Sequence, residues 1–371
     1  MINSLRFMMW PAIAGLLAAL LILDRWVLPR PANVSASGAT ASYAPAVRSA
    51  TPAVVNIYTA KLVQSRSNLL RDELLSRRLD AAPAQRQRIE RSLGSGVIMT
   101  EEGHILTNNH VIDEADAIQV LLHDGRSANA VVIGTDPATD LAVLQVQLPD
   151  LQPIAIADSD SARVGDVVLA IGNPLGFGHS VTQGIVSALG RYGLQLSVYE
   201  DYIQTDATIH LGNSGGALIN ARGELLGINT LIYTGTDQSR GVSTGIGISL
   251  AIPANMALFV MADLIRYGEV IRGWLGVSVA PVRGLNEQQP GLQLLEVTAV
   301  ATDSPAQRAG VMVRDIITHI DGEPVRDGRL TMHRIAQLRP GDKIDITVVR
   351  NNQTLDLQAI VGTLRQSPTS G

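Results

Sequence analysis

The pentapeptide Gly212-Asn213-Ser214-Gly215-Gly216 sets a serine between glycines, with short apolar segments before and after it. Glycine accepts a positive φ and has no Cβ to obstruct an approaching substrate backbone. The N–H groups of such a turn can converge on the oxygen of an acyl group that Ser214 attacks. The stretch therefore predicts a nucleophilic serine on a tight turn. An ordinary β-turn is the alternative, because the same residue types also suit one.

Two residues upstream complete a set of catalytic residue types. His110 follows a short apolar stretch in residues 103–112 (GHILTNNHVI), and Asp140 precedes the alternating stretch 141–146 (LAVLQV). A serine hydroxyl becomes a good nucleophile when an imidazole accepts its proton, and a carboxylate must hold that imidazole in the right tautomer. The order His, Asp, Ser is that of the chymotrypsin arrangement and differs from the subtilisin and α/β-hydrolase orders. We predict that His110, Asp140 and Ser214 form a catalytic triad.

Three stretches around these residues resemble the catalytic motifs of the HtrA family of serine proteases: residues 107–111 (TNNHV), 139–144 (TDLAVL) and 212–218 (GNSGGAL). Four others are similar to the same family: residues 92–98 (SLGSGVI), 165–174 (GDVVLAIGNP), 204–206 (QTD) and 247–253 (GISLAIP). The likeness runs from about residue 43 to about residue 361. The layout resembles the DegS/AlgW type of that family, which is membrane-anchored and carries a single PDZ domain.

The composition favours a mainly β protein and argues against several other classes. Of the 371 residues 46% are hydrophobic and only 4% are aromatic, so Val, Ile, Leu and Ala must build the core. Short β-branched segments recur between turn residues from about residue 93 to residue 252, as in antiparallel barrels. A net charge of −5 without a basic stripe argues against nucleic acid as a partner. There is no cysteine and no His/Asp/Glu cluster with ligand spacing, so neither a metal nor a cofactor is expected.

The resemblance implies a chymotrypsin-like protease domain of two six-stranded β-barrels, with His110 and Asp140 in the first barrel and Ser214 in the second. A helix at 254–266 is expected to close this domain, and another is expected at 331–338 in the PDZ domain. The predicted segments are, in order, a cytoplasmic N-terminus (1–6), a transmembrane anchor (7–28), a flexible linker (29–45), the protease domain (46–266), the PDZ domain (267–364) and a polar tail (365–371).

The apolar run at residues 7–23 has three interpretations, of which a buried helix of a soluble protein is the remote one. It carries no charge, and a helix of this length spans ~26 Å, near the lower limit for the core of a bilayer. Trp10 and Trp26 lie near its ends, where interfacial aromatic residues are found. We favour a retained anchor. A cleaved signal peptide is the alternative, because small residues at 34–36 and 39–41 offer cleavage patterns.

Residues 61–91 differ in composition from their surroundings, with seven arginines and several acidic residues. We interpret them as a solvated, partly disordered excursion, at the position of a variable loop in the family.

Residues 272–278 (RGWLGVS) open the second domain. In a PDZ domain a Gly-containing loop donates N–H groups to the terminal carboxylate of a peptide, which adds to the sheet as a strand. The resemblance assigns that loop to Gly273, Trp274, Leu275, Gly276 and Val277, and a β-domain that only packs is the alternative.

The resemblance adds three further assignments near the site. It implies an oxyanion hole made by the N–H groups of Gly212 and Ser214, with Asn213 between them. It implies a regulatory role for Arg191, in a loop that follows a strand at 181–187, and an ordinary surface arginine is the alternative. His210 and Leu211 replace the family's usual Asn and Pro, which affects the shape of the turn, and we do not expect His210 to be the base. The remaining histidines are expected to be structural or exposed: His104, His123, His179, His319 and His333.

The same resemblance implies a serine endopeptidase of the bacterial periplasm, held in the inner membrane and assembled as a homotrimer. Its PDZ domain would bind exposed C-termini of misfolded outer-membrane proteins. The active site would then make the first cut in the periplasmic part of an anti-sigma factor and start an envelope stress response. Two alternatives stay open: a DegP-like quality-control protease that degrades unfolded proteins, and a non-catalytic PDZ scaffold.

Overall fold

The computed structural model describes residues 15–16, 18–19, 42–64, 87–173, 178–192, 194, 196–210, 212–237, 242–282, 294–325 and 328–363. The chain forms two compact units, residues 1–44 and 45–371. In the first unit, residues 15–16 and 18–19 are helical. No helix within the described ranges combines the length and the apolar character needed to cross a membrane. The rest of the predicted anchor, most of the predicted linker, the N-terminus (1–6) and the tail (365–371) lie outside the described residues.

The first half of the predicted protease domain consists of strands that surround an aliphatic core. Its elements are α1 (Ala44–Ala50), a 3₁₀ turn (Thr51–Ala53), β1 (Val54–Gln64), β2 (Gln87–Ile98), β3 (His104–Asn108), α2 (Asn109–Ile112), β4 (Ala117–Leu121), β5 (Ser127–Asn129), β6 (Val131–Asp136) and β7 (Leu141–Gln145). The strands are hydrogen-bonded in the order β5-β4-β1-β2-β3-β7-β6. Ile57, Leu106 and Leu144 are fully buried, as expected for a core built without aromatic residues.

These seven strands differ from the six predicted for the first barrel, and one residue accounts for the difference. β5 pairs with β4 and β6 pairs with β7, while only Ala130 separates β5 from β6. The N–H of Ala130 donates to the carbonyl of Ile118 at 2.9 Å, so the chain is still attached to the β4 side where it changes partner. Counted as one bent strand, residues 127–136 join the two edges and close a barrel of six.

The second half of the predicted protease domain is a closed barrel with the strand order β10-β13-β12-β11-β8-β9. Its elements are a 3₁₀ turn (Ser159–Ser161), β8 (Val167–Gly172), β9 (Ser180–Arg191), β10 (Tyr202–Thr205), β11 (Ala217–Asn220), β12 (Leu225–Asp237), β13 (Val242–Pro253) and α3 (Ala254–Tyr267). The helix predicted at 254–266 is confirmed, and it ends where Gly268 adopts a φ of +77° and donates its N–H to Leu264.

Two sequence interpretations in this domain are corrected. Residues 61–64 and 87–91 belong to strands rather than to an excursion, because β1 and β2 pair from Lys61 opposite Glu90 to Gln64 opposite Gln87. Residues 65–86 lie outside the described residues. The strand predicted at 181–187 is longer, because β9 keeps its pairing with β10 and continues to Arg191.

The second domain is an antiparallel sheet with one main helix. Its elements are β14 (Gly273–Trp274), β15 (Val277–Pro281), β16 (Leu295–Val300), α4 (Pro305–Arg308), β17 (Ile316–Ile320), β18 (Glu323–Pro324), α5 (Gly328–Gln337), β19 (Lys343–Arg350), β20 (Gln353–Ile360) and β21 (Gly362–Thr363). The sheet order is β15-β16-β17-β19-β20, with β18 on β17, and β14 pairs with β21. α5 starts three residues before the predicted helix, because the poor helix former Gly328 hides its first turn in the sequence.

Candidate active site

The residues predicted for acid–base chemistry form a hydrogen-bonded pair. α2 begins directly after β3 and carries His110, whose Nδ1 lies 2.8 Å from Oδ2 of Asp140. The backbone N–H of His110 donates to Oδ1 of the same carboxylate at 3.0 Å. With the carboxylate accepting from Nδ1–H, Nε2 is left as the basic nitrogen, which is the tautomer that a general base needs. The side chain of His110 is 41% exposed and that of Asp140 15%, so the imidazole lies on the open side of the pair.

The backbone at Asp140 adopts an uncommon conformation that its neighbours hold. Its φ is +60°, a left-handed value that aspartate tolerates better than most residues. Its carbonyl accepts the N–H of Asn109 at 3.1 Å and the side-chain amide of Asn108 at 2.9 Å. The two asparagines that precede His110 therefore fix the carboxylate that His110 contacts.

Thr230, in β12, is a site residue that sequence reasoning missed. Its hydroxyl donates to Oδ2 of Asp140 at 3.0 Å, and its carbonyl accepts the Oγ–H of Ser214 at 2.7 Å. The described hydrogen bonds include none between Ser214 and His110, so proton transfer requires the Ser214 hydroxyl to rotate away from this carbonyl. Thr230 gave no local signal, because its contact with Asp140 joins residues 90 positions apart on two barrels.

Ser214 lies on the turn that leads into β11, and glycines of this turn adopt the predicted conformation. Gly212 has a φ of +94° and Gly215 a φ of +81°. The N–H of Asn213 donates to the carbonyl of His210 at 2.9 Å and is therefore not available to a substrate. Among the described residues, the N–H groups of Gly212 and Ser214 donate to no backbone carbonyl. The turn thus offers the N–H groups of Gly212 and Ser214 as donors for an oxyanion, whereas the Asn213 N–H between them is already hydrogen-bonded.

The other predicted positions near the turn have ordinary surroundings. Arg191 is exposed at the end of β9, and its Nε donates to Oε1 of Gln204 at 2.7 Å. His210 is also exposed, and Leu211 lies outside the described residues. In the part of the chain that the structure describes, no three His, Asp or Glu side chains lie close enough together to hold a metal ion.

Comparison with known proteins identifies both domains. The Trypsin-like peptidase domain matches residues 94–228, and the PDZ domain matches residues 273–361. Serine endoprotease DegS of Escherichia coli (strain K12) is 43% identical over 338 residues, which cover 90% of this chain and 89% of DegS. The structure of the HtrA-type protease AlgW with a decapeptide is 45% identical, with a TM-score of 0.70 over 88% of this chain and 100% of AlgW. The chain belongs to the HtrA family of serine proteases.

A further HtrA-like relative is less similar in layout. The periplasmic pH-dependent serine endoprotease DegQ of Escherichia coli (strain K12) is 40% identical, over 92% of this chain but only 74% of DegQ. The match to DegS covers nearly all of both proteins, as does the match to AlgW. The resemblance noted in the sequence is confirmed at the level of the family and of its DegS and AlgW members.

The predicted carboxylate loop of this HtrA protease has carbonyls that face inward. The carbonyls of Leu275 and Gly276 accept the N–H groups of Ala306 at 3.0 Å and Ala301 at 2.8 Å. A trans peptide points its N–H opposite to its C=O, so the N–H groups of Gly276 and Val277 face away from these partners. Gly276 has a φ of +77°. The loop therefore presents two consecutive donors on its outer side.

The groove beside this loop is apolar and borders a sheet edge. β15 pairs with β16 alone among the described strands, so its other edge is unpaired. A cavity of about 10 Å³ lies between β15 and α5, lined by apolar side chains that include Leu275, Val279, Met332 and Ile335. An unpaired edge can give main-chain hydrogen bonds to an added strand. The cavity has about the volume of one water molecule, so a peptide side chain would have to displace its apolar lining.

A buried ion pair connects the two domains and was also missed from the sequence. The guanidinium of Arg272, just before β14, donates to both carboxylate oxygens of Asp136 at the end of β6. The side chains are 5% and 3% exposed, and the guanidinium also lies 4.5 Å from the ring centroid of Tyr199. Asp136 accepts the hydroxyl of Thr139 as well, in the turn that leads to Asp140. Arg272 therefore contacts the segment that carries the carboxylate of the site.

Proposed function

We propose that Ser214, His110 and Asp140 perform peptide-bond hydrolysis in this serine protease. His110 takes the proton of Ser214 as the hydroxyl attacks the scissile carbonyl, and the N–H groups of Gly212 and Ser214 stabilise the resulting oxyanion. His110 then gives the proton to the leaving amine, and an acyl-enzyme remains. Water releases the acyl group in the second half-reaction by the same route. The observation that carries this proposal is the contact of Asp140 with both His110 and Thr230, whose carbonyl binds Ser214.

We further propose that the PDZ domain regulates this site by binding peptide C-termini, through the loop Gly273, Trp274, Leu275, Gly276 and Val277. Two lines of support are the outward N–H groups of this loop and the unpaired edge of β15. AlgW, which is similar over nearly its whole length, has been solved with a decapeptide. The exposed C-termini of misfolded outer-membrane proteins are the ligands that this proposal names.

The bond from Arg272 to Asp136 supports a route from the PDZ domain to the catalytic carboxylate. A movement of Arg272 would release the turn that holds Asp140, so occupancy of the groove and geometry of the site would be coupled. Arg191, at the end of β9 in the protease domain, is our second candidate for a residue of the regulatory pathway. Its exposed guanidinium and its bond to Gln204 leave it accessible to a neighbouring segment.

We propose that the enzyme is anchored in the bacterial inner membrane by residues 7–28, with both folded domains in the periplasm, and that it assembles as a homotrimer. Its substrate would be the periplasmic domain of an anti-sigma factor, and the first cut there would start an envelope stress response. The similarity to DegS over nearly the full length of both chains favours this assignment.

The test compares two substrates with and without a peptide that ends in an apolar residue and a free carboxylate. One substrate is the periplasmic domain of an anti-sigma factor, and the other is a permanently unfolded protein. Cleavage of the first alone, and only with peptide, is the expected result. Ser214→Ala is the control, and continued cleavage by this variant would exclude Ser214 as the nucleophile.

A DegP-like quality-control protease is the second candidate, and the 40% identity to periplasmic DegQ favours it. Steady degradation of both substrates without peptide would support this candidate over the regulated one. The non-catalytic scaffold is disfavoured by the membership of a protease family. A fluorophosphonate that labels the wild-type chain but not Ser214→Ala would exclude the non-catalytic scaffold.

A further inference from the structure

The stretches 92–98 and 165–174 resemble the family but carry no residue of the proposed triad. Both contact the turn that carries Ser214. Ser95, in β2 of the first barrel, is fully buried. Its N–H donates to the carbonyl of Ser214 at 2.9 Å, and its hydroxyl donates to the carbonyl of Gly212 at 2.7 Å. Asn173, which follows β8, donates its N–H to the Oγ of Ser95 at 3.0 Å. The stretches at 92–98 and 165–174 therefore converge on one side of the turn.

The partners of the Ser95 hydroxyl define the direction of its hydrogen bonds. The backbone N–H of Asn173 can only donate, so the Oγ of Ser95 must accept from it. The carbonyl of Gly212 can only accept, so it must receive the hydroxyl proton. Both partners of the buried hydroxyl are therefore backbone groups of the protein itself. The hydroxyl thus holds the Gly212 carbonyl in a single orientation.

These contacts fix the peptide groups on both sides of the one that carries the Ser214 N–H. The peptide between Gly212 and Asn213 is held at its carbonyl by the Ser95 hydroxyl and at its N–H by His210. The peptide between Ser214 and Gly215 is held at its carbonyl by the Ser95 N–H. The peptide between them bears the Ser214 N–H, one of the two proposed oxyanion donors. Its own carbonyl, that of Asn213, accepts the N–H of Gly216 at 2.9 Å, so this trans peptide points the Ser214 N–H in the opposite direction.

The glycines of the turn are needed where it approaches Ser95 and β8. A Cβ on Gly215 would lie 2.1 Å from the carbonyl oxygen of Ser95, and one on Gly216 would lie 3.2 Å from its Cβ. A Cβ on Gly172 would lie 2.7 Å from the Cα of Asn213. The turn is therefore in direct contact with the two stretches and has no space in which to shift toward them.

We propose that Ser95 is a positioning residue for the oxyanion hole, which acts by orienting the Gly212 and Ser214 carbonyls. The first barrel in this way sets the geometry of a donor that belongs to the second barrel. This inference rests on the proposed roles of Gly212 and Ser214 in oxyanion binding. It assigns a catalytic consequence to a hydroxyl that touches neither substrate nor triad side chain.

The experiment uses the full-length protease with Ser95→Ala and a matched control, Ser159→Ala. Ser159 is also a buried serine, and its Oγ accepts the N–H of Asn255 in the first turn of α3, in a different part of the domain. We expect Ser95→Ala to lower kcat by roughly 10- to 100-fold, less than the 10²- to 10³-fold typical for the outright loss of an oxyanion donor. KM should stay within about twofold, because the substrate's ground state makes little use of the oxyanion donors. Ser159→Ala should keep the wild-type kcat.

A second readout separates positioning from a loss of stability. A peptide boronic acid forms a tetrahedral adduct with the serine and places an oxygen in the oxyanion hole. Its affinity should fall by about the same factor as kcat/KM in Ser95→Ala, as expected for a transition-state analogue. Ser95→Cys keeps a similar volume but has a much weaker donor, so kcat should also fall in this variant.

The outcomes distinguish this inference from the proposed function. Wild-type kcat and boronate affinity in a folded Ser95→Ala or Ser95→Cys variant would overturn the positioning role. A rise in KM at constant kcat would do the same. If Ser214→Ala cleaves substrate, the assignment of the nucleophile fails, and the inference about Ser95 fails with it.

Discussion

Thr230 contacts both the carboxylate of Asp140 and the hydroxyl of Ser214, the proposed nucleophile. We expect Thr230→Val to lower kcat by about 10- to 100-fold, because a hydrogen bond to a charged group contributes roughly 1.5–3 kcal/mol. Thr230→Ser keeps the hydroxyl and should retain most of the activity. Steady-state cleavage of a chromogenic peptide measures both variants. Equal kcat values for Thr230→Val and the wild type would mean that Asp140 is held well enough without this bond.

The buried pair of Arg272 and Asp136 predicts a large loss of stability when one partner is removed. Arg272→Met leaves the carboxylate buried without its cation, and such a change typically costs about 3–5 kcal/mol. The matched control is Arg334→Met, because Arg334 pairs with Glu323 at the surface, where pairs contribute only about 0–1 kcal/mol. Urea unfolding measures both. The double variant Arg272→Met/Asp136→Asn should recover part of the loss, and no recovery would count against the pairing as its cause.

The residues of the proposed triad could be selected from the sequence, whereas the residues that contact them could not. His110, Asp140 and Ser214 stand in short motifs whose residue types follow from the chemistry. Thr230 and Ser95 act through contacts between barrels, 90 and 117 positions along the chain from their partners. Nothing in the local sequence of a threonine or a serine in a strand indicates such a contact.

Among the secondary-structure elements, the loop between β14 and β15 carries a prediction about ligand binding. A Cβ on Gly276 would lie 2.4 Å from the Cβ of Ser304, so Gly276→Ala must displace the loop. We expect this variant to weaken binding of a peptide with a free apolar C-terminus by at least about tenfold, since a preformed loop is lost. Fluorescence anisotropy of a labelled peptide measures the affinity.

Gly310→Ala is the control for this change. Gly310 also has a positive φ, +85°, but a Cβ there meets nothing within 4 Å. It carries a similar backbone strain, of about 1–2 kcal/mol, without the collision. Peptide affinity should stay near the wild-type value in this variant. A parallel loss in both variants would point to strain rather than to the shape of the loop.

Helices and strands could be predicted where the local sequence pattern alone determines them. Bends and strand extensions that depend on other strands could not. α3 follows an apolar segment free of helix breakers, and its ends agree with the sequence to within a residue. The bend at Ala130, by contrast, depends on a hydrogen bond to Ile118 in another strand. The extension of β9 to Arg191 likewise depends on its pairing with β10, which no pattern within β9 reveals.

The histidine His333 of the PDZ domain faces acidic residues of the protease domain, where the two domains meet. Burial lowers the pKa of His333, on α5, below its ordinary value of 6.5, and Arg272 adds to this, while Asp201 and Asp160 of the protease domain oppose it. Nδ1 of His333 is buried and has no partner among the described residues. The unfolded chain therefore binds more protons below about pH 6.5, and stability falls as the pH drops through that window.

Burial also raises the pKa of Asp201, with His333 opposing it. This contribution is present below the ordinary value of 3.8 and is lost as the pH rises through the raised pKa.

We expect His333→Gln to reduce the acid-side loss of stability. The melting temperature of this variant should change less than that of the wild type between about pH 7 and pH 5, because one group with a shifted pKa is gone. His319→Gln, in β17 of the same domain, is the control for the loss of a histidine elsewhere in that domain. Identical profiles for His333→Gln and the wild type would show that His333 does not report on the contact between domains.

At the scale of the molecule, the sequence predicted two domains and their order but not the contacts between them. The motifs define each domain separately, because each domain has its own core and its own turns. The contacts of Arg272 with Asp136 and of Arg339 with Asp263 depend on how the folded domains meet. Charged residues in such contacts look like surface residues until the structure brings them together.

The division of the site between two barrels also affects how the enzyme is made. A ribosome delivers the chain from its N-terminus, and domains begin to fold as they emerge. His110, Asp140 and Ser95 are therefore present before Ser214 has been translated. With the roles proposed here, a half-synthesised chain holds the base and the carboxylate but no nucleophile, and we expect it to be unable to cut itself or its neighbours. Because all three residues are needed, proteolytic activity is expected to begin only when synthesis has passed the second barrel.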